Sequence, residues 1–271
     1  MLKFHLINSS SNPIFKDLRI FVKQGINKNF ADLFCVAGYK NNLVALQNNW
    51  APHSIFVPHD IDTKMLNKLK ALTKNVKVRW IQLSESLVNV LNELGNGNDL
   101  FVYYDRAALM RQSFVLDNSF NYVLCDSIQE PSNLGAIIRN AAAFNVKGLF
   151  VYNSASIYHP KVVRASAGNI FNLPIAIVDD LNQFIKAVKT KKIQLIGLMN
   201  DKQSKSIDEL TQSGQQLTGL TFILGNEGHG ISSQLLKNCD QMLRIDINNK
   251  VESLNVACTS AILFYELSKR C

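Results

Sequence analysis

The sequence predicts an α/β protein in which a parallel-sheet domain follows a smaller α/β domain. Along almost the whole chain, short apolar segments of strand length alternate with segments whose apolar residues recur at helical spacing. Several strand segments of the second half, such as NYVLC and LTFIL, are apolar throughout, which is typical of parallel strands covered by helices on both faces. A chain of 271 residues, 47% of them apolar, is long enough for one large or two modest domains.

Residues 1–110 form the first predicted domain. Its strand and helix segments alternate, and the LGNGND turn at residues 94–99 precedes the last strand. Residues 106–120 have no clear strand pattern and are a candidate linker. The predicted strands are FADLFCVAG, SIFVPH, VKVRWIQL and LFVYYD, and the predicted helices are NPIFKDLRIFVKQ, KNNLVALQNN, TKMLNKLKALTK and ESLVNVLNEL.

Residues 119–271 form the second predicted domain, in which the alternation is stricter. Ligands of such sheets bind beyond the carboxyl ends of the strands, where loops lead into helices, and we expect a site there. The predicted strands are NYVLC, GLFVY, PIAIV, IQLIGLM, LTFILG and QMLRID, and the predicted helices are NLGAIIRNAAAFN, VVRASAGNIF, LNQFIKAVKT, SSQLLKNC and SLNVACTSAILFYELSK.

The charge of the chain favours a polyanionic partner such as nucleic acid. The net charge is +8, and residues 1–110 contain 13 Lys and Arg against 8 Asp and Glu, an excess of +5, which leaves +3 for residues 111–271. Cations near phosphates release condensed counterions and thereby strengthen binding, although many basic proteins bind no nucleic acid.

Cysteine usage and apolar runs exclude several classes of protein. The five cysteines are scattered without a CxxC pair, which argues against a disulfide framework or a structural zinc site. The longest apolar runs are far shorter than a membrane-spanning helix, and the first residues resemble neither a secretory signal nor a transit peptide. We therefore expect a soluble cytoplasmic protein without a metal.

A glycine-rich loop follows one of the predicted strands. FILGNEGHGIS, residues 222–232, places Gly225, Gly228 and Gly230 between an apolar strand and a helix that begins at Ser232 or Ser233. Such glycines allow a ligand to approach backbone N–H groups closely. The loop lacks the Gly-Lys-Ser/Thr of a P-loop, and its GxxGxG spacing differs from the dinucleotide GxGxxG. A tight turn without a ligand is the alternative.

A second segment combines a polar loop with an arginine in an apolar helix. In DSIQEPSNLGAIIRNAAAFNV, residues 126–146, the helix is expected to start near Asn133. Arg139 follows about 1.7 helical turns later, so the two side chains converge only if Asn133 lies in the loop above the helix start. An arginine there is expected to have an anionic partner or to line a wet cleft, because an unpaired buried charge is costly. A surface-facing arginine is the alternative.

The third segment is IDINNKVESLNVACTSAILFYEL, residues 245–267, in which the polar INNKVES ends a strand. Ser253 and Asn255 flank Leu254 at the start of an apolar helix, where serine or asparagine is ordinarily an N-cap.

Together, EPSNLGAIIRNAAAF, LGNEGHGIS and VESLNVA resemble the three motifs of the SpoU-TrmH branch of the SPOUT methyltransferases, in the expected order and strand–loop–helix contexts. PKVVRASAGNIFNLPIA resembles a further segment of that family, and the resemblance covers roughly residues 119–271. More weakly, INSSSNPIFKDLR and FADLFCVAGYKNNLVAL resemble the RNA-binding domain, similar to a ribosomal protein, that precedes the catalytic domain in many rRNA-modifying members.

The resemblance implies methyl transfer from S-adenosylmethionine to a ribose 2′-hydroxyl of RNA, by a homodimer whose catalytic domain contains a trefoil knot. The residues expected at the reaction centre are Arg139, Asn133, Glu227, Ser253 and Asn255. The residues expected to hold the cofactor, mainly through backbone groups, are Leu198, Leu224, Gly225, Gly228, Gly230, Ile245, Ile247, Ser253 and Leu254.

Three positions depart from the family pattern: Asp246 replaces a common proline, Ala257 a usual serine, and Ala37 a frequent glutamate of the first domain.

Large-subunit rRNA is the expected substrate, with tRNA as the alternative. Outside this class, a non-catalytic RNA-binding protein would explain the charge but not the combined site residues. A Rossmann-type oxidoreductase would need the missing GxGxxG and its acidic partner.

Overall fold

The fold is described from a computed structural model, which describes residues 4–96, 100–110, 115–212 and 217–269. The chain divides into two compact units. The first consists of Met1–Arg111 and Ile157–Asn172, and the second of Gln112–Ser156 and Leu173–Cys271. The first unit is therefore not one continuous stretch of sequence.

A five-stranded mixed sheet forms the centre of the first unit. Its strands are β1 (His5–Ile7), β2 (Leu33–Ala37), β3 (Pro52–Pro58), β4 (Arg79–Leu83) and β5 (Phe101–Asp105). They lie in the order β1-β4-β3-β5-β2, and only β5 is antiparallel to its neighbours. The helices are α1 (Pro13–Gln24), α2 (Tyr39–Gln47), α3 (Thr63–Leu72), α4 (Glu85–Leu91) and α5 (Arg106–Met110).

Helix α1 shows how the local sequence sets the bounds of an element. The Asn12 side chain accepts a hydrogen bond from the backbone N–H of Ile14, and Pro13 occupies the first helical position, where its missing N–H costs nothing. Gly25 ends the helix in the left-handed conformation. The apolar face of α1 enters the core of the first unit with Phe15, Leu18, Phe21 and Val22.

A seven-stranded, wholly parallel sheet forms the centre of the second unit. Its strands are β6 (Tyr122–Asp126), β7 (Gly148–Tyr152), β8 (Ile175–Ile177), β9 (Gln194–Leu198), β10 (Lys205–Ser206), β11 (Leu220–Leu224) and β12 (Gln241–Arg244). The helices along this part of the chain are α6 (Pro131–Ala143), α7 (Pro160–Ala165), α8 (Leu181–Thr190), α9 (Ile207–Gln212), α10 (Ser233–Leu236) and α11 (Val256–Ser268), of which α7 belongs to the first unit.

The strand order β10-β12-β9-β11-β6-β7-β8 decides where a site can form. Strands β12, β9, β11 and β6 are neighbours and run in the same direction, so the loops that follow them meet at one edge of the sheet. All residues of β6 and β11 are buried, and both strands pair in parallel with their neighbours, which confirms the prediction of a parallel sheet in the second half of the chain.

The segment Ile157–Asn172 leaves the second unit between β7 and β8 and completes the core of the first. Phe171 is 2% exposed and lies among Trp50, Phe34 and Tyr104, with ring centroids 5.0, 6.2 and 5.2 Å away. The indole N–H of Trp50 donates to the backbone oxygen of Phe171 at 3.2 Å. This segment is therefore a structural part of the first unit.

Most predicted elements occur in the structure, with several differences at the level of residues. β1, β10 and α9 were not predicted, and α6 begins at Pro131 rather than near Asn133. The predicted helix VVRASAGNIF ends at Ala165 and is followed by a 3₁₀ turn over Asn169–Phe171, because residues 167 and 168 have positive φ. The final helix begins at Val256, after SLN.

Two further predictions concern segments between elements. The candidate linker is partly helical, since α5 lies within it, and residues 111–114 fall outside the described residues. The chain forms a π-helical turn over Asn92–Asn96, whereas residues 97–99 of the predicted turn fall outside the described residues. The trefoil knot stays a prediction.

In the described part of the chain, no helix is both long and apolar enough to span a membrane. The four described cysteines are free thiols. Burial raises the pKa of the Cys239 thiol to about 11.

We expect Phe171→Ala to destabilise the first unit by about 3–5 kcal/mol, because it leaves a cavity among packed aromatic rings. Both tryptophans of the chain, Trp50 and Trp80, belong to the first unit, so urea unfolding followed by tryptophan fluorescence reports on this unit. Met65→Ala, at a side chain 41% exposed on α3, is the control and should change stability by no more than about 0.5 kcal/mol. Equal effects of both variants would contradict the structural role of the segment.

Candidate functional site

A cavity of about 350 Å³ opens at the edge of the second unit's sheet where β9, β11 and β12 end. The loops after these strands and the start of α11 line it. Its volume lies at the lower end of the range of small-molecule sites. The cavity is therefore where the parallel sheet is expected to bind a ligand.

The glycine-rich loop (residues 225–230) closes on itself beside the cavity. The backbone N–H of Asn226 donates to the oxygen of Gly230 and the N–H of Gly230 donates to the oxygen of Asn226, each at 2.9 Å. Gly230 has positive φ. A Cβ on Gly225 would lie 2.4 Å from the carbonyl carbon of Gly230, so this position admits only glycine in the observed loop. A Cβ on Gly228 would contact only the Asn226 side chain, at 3.6 Å.

The end of β6 holds this loop in place. The Asn226 side-chain amide donates to the backbone oxygen of Ser127 at 2.8 Å, and its carbonyl accepts from the N–H groups of Gly228 and His229. The buried Asp126 carboxylate accepts from the N–H of Ser232 at 2.7 Å. The loop is thus anchored at both ends. The bond to Asp126 is the stronger type, because carboxylates accept strong hydrogen bonds from backbone N–H groups.

Ser232 precedes α10 at the N-cap position, but its hydroxyl makes no capping bond and is buried without a partner among the described residues. The helix therefore begins at Ser233, and the Asp126 bond to the Ser232 N–H holds its start.

A single chain of hydrogen bonds joins the three sequence segments that were expected to form a site. The Asn133 side-chain N–H₂ donates to Glu227 Oε1 at 2.7 Å. The carbonyl oxygen of Asn133 accepts from the side-chain N–H₂ of Asn255 at 3.0 Å. The carbonyl oxygen of Asn255 caps α11 by accepting from the N–H groups of Ala257 and Cys258. We call this the Glu227–Asn133–Asn255 chain.

Helix α6 presents one face to these partners. Asn133 and Asn140 are seven residues apart and therefore lie on nearly the same face. Asn140 donates to the backbone oxygen of Ala257 and to the hydroxyl of Ser260, each at 2.9 Å, so this face packs against α11. Asn133 reaches Glu227 from within the first turn of α6.

Arg139 lies about 100° around α6 from Asn140. It is exposed, does not line the cavity, and makes no ion pair or hydrogen bond with the described residues. The structure therefore does not bring Arg139 and Asn133 together. This agrees with the helical spacing, which places the two side chains on different faces of a regular helix. The guanidinium group of Arg139 is free to meet an anion that approaches from solvent.

Asp246 ties the loop after β12 to the segment around β10. Its carboxylate accepts from the Ser206 hydroxyl at 2.6 Å and from Arg244 Nε at 2.8 Å, and the same guanidinium donates to the backbone oxygen of Ser204. The Ser206 hydrogen bond, followed by Arg244, lowers the pKa of Asp246. The carboxylate therefore keeps its charge at neutral pH, and the link is lost only when the pH falls through this lowered pKa.

Most of the expected site residues line the cavity. Gly228, Asn133 and Arg139 do not, although Asn133 contacts Glu227 at its rim. The expected residues that line the cavity are Leu198, Leu224, Gly225, Glu227, Gly230, Ile245, Ile247, Ser253, Leu254 and Asn255.

Further lining residues were not predicted. Met199 and Asn200 directly follow β9, so the rule for the carboxyl ends of parallel strands could have found them. Thr259 lies one helical turn after Asn255 and could have been found from helical spacing. The additional lining residues are Met199, Asn200, Asn226, Leu243, Arg244, Val256 and Thr259.

The sequence matches one family description, the SpoU rRNA Methylase family, over residues 121–265. An uncharacterized tRNA/rRNA methyltransferase of Mycobacterium sp. (strain KMS) is 32% identical over 149 residues, which are 55% of this chain and 46% of that protein. This chain thus spans about half the length of that relative. A 23S rRNA (uridine(2479)-2′-O)-methyltransferase of Streptomyces viridochromogenes is 26% identical over 269 residues, which are 95% of this chain and 90% of that protein.

Solved structures share the fold over nearly the whole chain. An AdoMet-bound rRNA methyltransferase from Sinorhizobium meliloti has a TM-score of 0.83 at 21% identity, covering 98% of both chains. A SpoU methyltransferase from Streptomyces viridochromogenes in complex with AdoMet has a TM-score of 0.78 at 22% identity, covering 95% of this chain and 98% of that chain.

We expect Gly225→Ala to destabilise the second unit by about 1–3 kcal/mol, because the added Cβ would overlap the backbone of Gly230. Gly228→Ala is the matched control, since its Cβ has room and its φ is not positive, and it should leave stability nearly unchanged. Unfolding followed by far-ultraviolet circular dichroism gives the free-energy difference. A Gly225→Ala variant as stable as the control would show that the loop does not need this close approach.

Proposed function

Because the chain belongs to the SpoU rRNA methylase family, we propose that it transfers a methyl group from S-adenosylmethionine to a ribose 2′-hydroxyl of large-subunit rRNA. The Glu227–Asn133–Asn255 chain is the observation that carries this proposal, because it connects all three family motifs at the rim of one cavity. The 23S rRNA 2′-O-methyltransferase that aligns over 95% of this chain supports both the ribose position and the rRNA substrate.

The cavity fits the proposed cofactor in size and chemistry. Apolar side chains from three strand ends can enclose an adenine ring, and Asn200, Asn226 and Thr259 supply polar groups around it. The missing side chain of Gly225 lets the backbone of Gly230 approach closely, which gives the loop the shape that lines the cavity. The proposed cofactor-binding residues in the cavity are Leu198, Leu224, Gly225, Gly230, Ile245, Ile247, Ser253 and Leu254; Gly228 would contribute through its backbone N–H, which donates to the Asn226 side chain.

When bound, the cofactor supplies an activated methyl group whose leaving group needs no protonation. The chain must therefore align the 2′-hydroxyl and stabilise the negative charge that develops as its proton leaves. Glu227, Asn133, Ser253 and Asn255 are proposed to fix the geometry of the reaction centre. Arg139 is proposed to stabilise the developing alkoxide and to anchor a phosphate, since arginine stays protonated and is a poor base.

The first unit is proposed to bind the RNA substrate. The weak resemblance of its sequence to an RNA-binding domain and its excess of cations support this role. We propose rRNA before tRNA because the 23S rRNA relative aligns over both units, whereas the mycobacterial relative aligns over 55% of this chain.

We further propose that the protein acts as a homodimer that uses the outer face of α11. Cys258, Ile262 and Tyr265 are exposed at i, i+4 and i+7 spacing, and thus form one stripe on this helix. Leu254 and Val251, also exposed, precede the same helix. A stripe of this kind is expected to be covered by another protein surface, and a second copy would supply the same face.

The proposed function is tested by titrating the protein with S-adenosylmethionine in a calorimeter and by mapping 2′-O-methyl groups on rRNA incubated with both. We expect binding and methylation at a defined nucleotide. Arg139→Ala should keep cofactor binding but lower turnover about 100-fold or more, because it removes charge stabilisation from the transition state.

Lys186→Ala, which removes an exposed cation from α8, is the control and should behave like the wild type. Equal losses of cofactor affinity and turnover in Arg139→Ala would refute the proposed role of Arg139. A wild-type protein that binds RNA but no S-adenosylmethionine would instead indicate a non-catalytic RNA-binding protein.

For the homodimer, we expect Ile262→Glu to yield monomers in light scattering coupled to size exclusion, because the charge would be buried in the interface. Val115→Glu, at a side chain 78% exposed, is the control and should leave the dimer intact. A wild-type protein that is monomeric at high concentration would exclude this assembly.

A further inference from the structure

The positive charge of the first domain is concentrated in one segment, residues 62–79. This segment contains six cations, the lysines at 64, 68, 70, 74 and 77 and the arginine at 79, against the single carboxylate of Asp62. Its net charge of +5 equals the whole excess of residues 1–110, which contain 13 cations and 8 acids. The 7 cations and 7 acids of residues 1–110 that lie outside the segment cancel. The rest of residues 1–110 is therefore electrically balanced, and the segment Ile157–Asn172 adds Lys161 and Arg164 to the first unit.

These charges are uncompensated in the structure. Five of the six cations are exposed, and Lys70 is partly buried with its ammonium group 6.0 Å from the centroid of the Phe4 ring. Within the described residues, none of the six takes part in an ion pair. Asp62 is occupied as the N-cap of α3, where its carboxylate accepts from the N–H of Met65 at 2.9 Å.

The position of Lys64 goes against the local stability of α3. It lies in the first turn of the helix, where the macrodipole disfavours cations, and no acidic residue lies in that turn. Residues that oppose the stability of their own element are expected where a function requires them. Lys64 and Lys68 are one turn apart and both exposed, so they form a charged edge along α3.

The composition of this edge favours a nucleic acid backbone over a membrane. An interfacial helix needs an apolar face to enter lipid. Among the described residues of α3, Met65 is the only large apolar side chain that is exposed, and one side chain does not form such a face. We propose that residues 62–79 form the phosphate-binding surface of the first unit, with Lys64 and Lys68 contacting RNA phosphates. This inference rests on the proposed action of the enzyme on RNA and adds where the RNA backbone is held.

The test compares two double charge reversals with the same change in net charge. Lys64→Glu/Lys68→Glu alters the proposed surface, and Lys16→Glu/Lys23→Glu alters exposed lysines of α1 in the same unit. The affinity of each full-length variant for a fluorescein-labelled RNA hairpin of arbitrary sequence is measured by anisotropy over a range of salt concentrations. Arbitrary RNA suffices because phosphate contacts supply the sequence-independent part of binding.

We expect the α3 variant to bind the hairpin about tenfold more weakly at low salt and to reduce the slope of log K against log salt by about 2, or about 1 for each phosphate that the variant no longer neutralises. The α1 variant should bind nearly as tightly as the wild type. Lys64→Gln/Lys68→Gln should reproduce the reduced slope with a milder change in charge. Tryptophan fluorescence establishes that each variant is folded, since both tryptophans lie in this unit.

Equal weakening by the α1 and α3 variants would overturn the proposal, because net charge alone would then explain binding. Unchanged RNA affinity of the folded α3 variant would also overturn it. Calorimetry with S-adenosylmethionine and rRNA methylation by the wild type report on the proposed function independently. If the wild type methylates rRNA but the α3 variant keeps full RNA affinity, the phosphate-binding surface is overturned and the proposed function still stands.

Discussion

The arrangement of the site depends on the negative charge of Glu227. An ionised carboxylate only accepts hydrogen bonds, so the N–H₂ group of Asn133 must face it. The carbonyl oxygen of Asn133 is then left to accept from Asn255, whose own carbonyl oxygen turns to the free N–H groups at the start of α11. The Glu227 carboxylate at one end and the N–H groups of α11 at the other thereby set the direction of both side-chain amides, and they link the start of the helix to a loop more than twenty residues away in sequence.

A second set of contacts fixes the part of the cavity wall that follows β12. Arg244 and Ile245 line the cavity, while the adjacent Asp246 turns to Ser206 and Arg244. Where the family commonly has a proline, this chain has Asp246, which accepts hydrogen bonds from the nearby Arg244 and from Ser206, a residue distant in sequence. A proline restricts φ by its ring alone, whereas a carboxylate restricts the loop only while its partners are in place. The cavity wall of this protein therefore depends on the segment around β10.

The sequence was most informative where a residue's role depends on its own element. Apolar runs located the strands of the second unit, and the order of strand, loop and helix located the cavity. The two strands that were missed, β1 and β10, have three and two residues, too few for a periodic pattern. Helical spacing correctly indicated that Arg139 and Asn133 lie on different faces of α6. Contacts such as Asn226 with Ser127 and Asp246 with Ser206 could not be predicted. They join residues of different elements, whereas hydrophobic periodicity relates only residues of the same helix or strand.

The insertion of Ile157–Asn172 into the first unit has a consequence for biogenesis. A ribosome makes β6, α6 and β7 of the second unit before it makes Phe171, which the aromatic core of the first unit requires. Domains usually fold in the order in which they are made. Here the first domain cannot complete its core in that order, and its nascent chain exposes the surface around Trp50 and Phe34 until about sixty further residues have been translated. The first unit can thus complete its fold only after part of the second unit has been synthesised. Truncating the gene at a single position therefore cannot separate the two units.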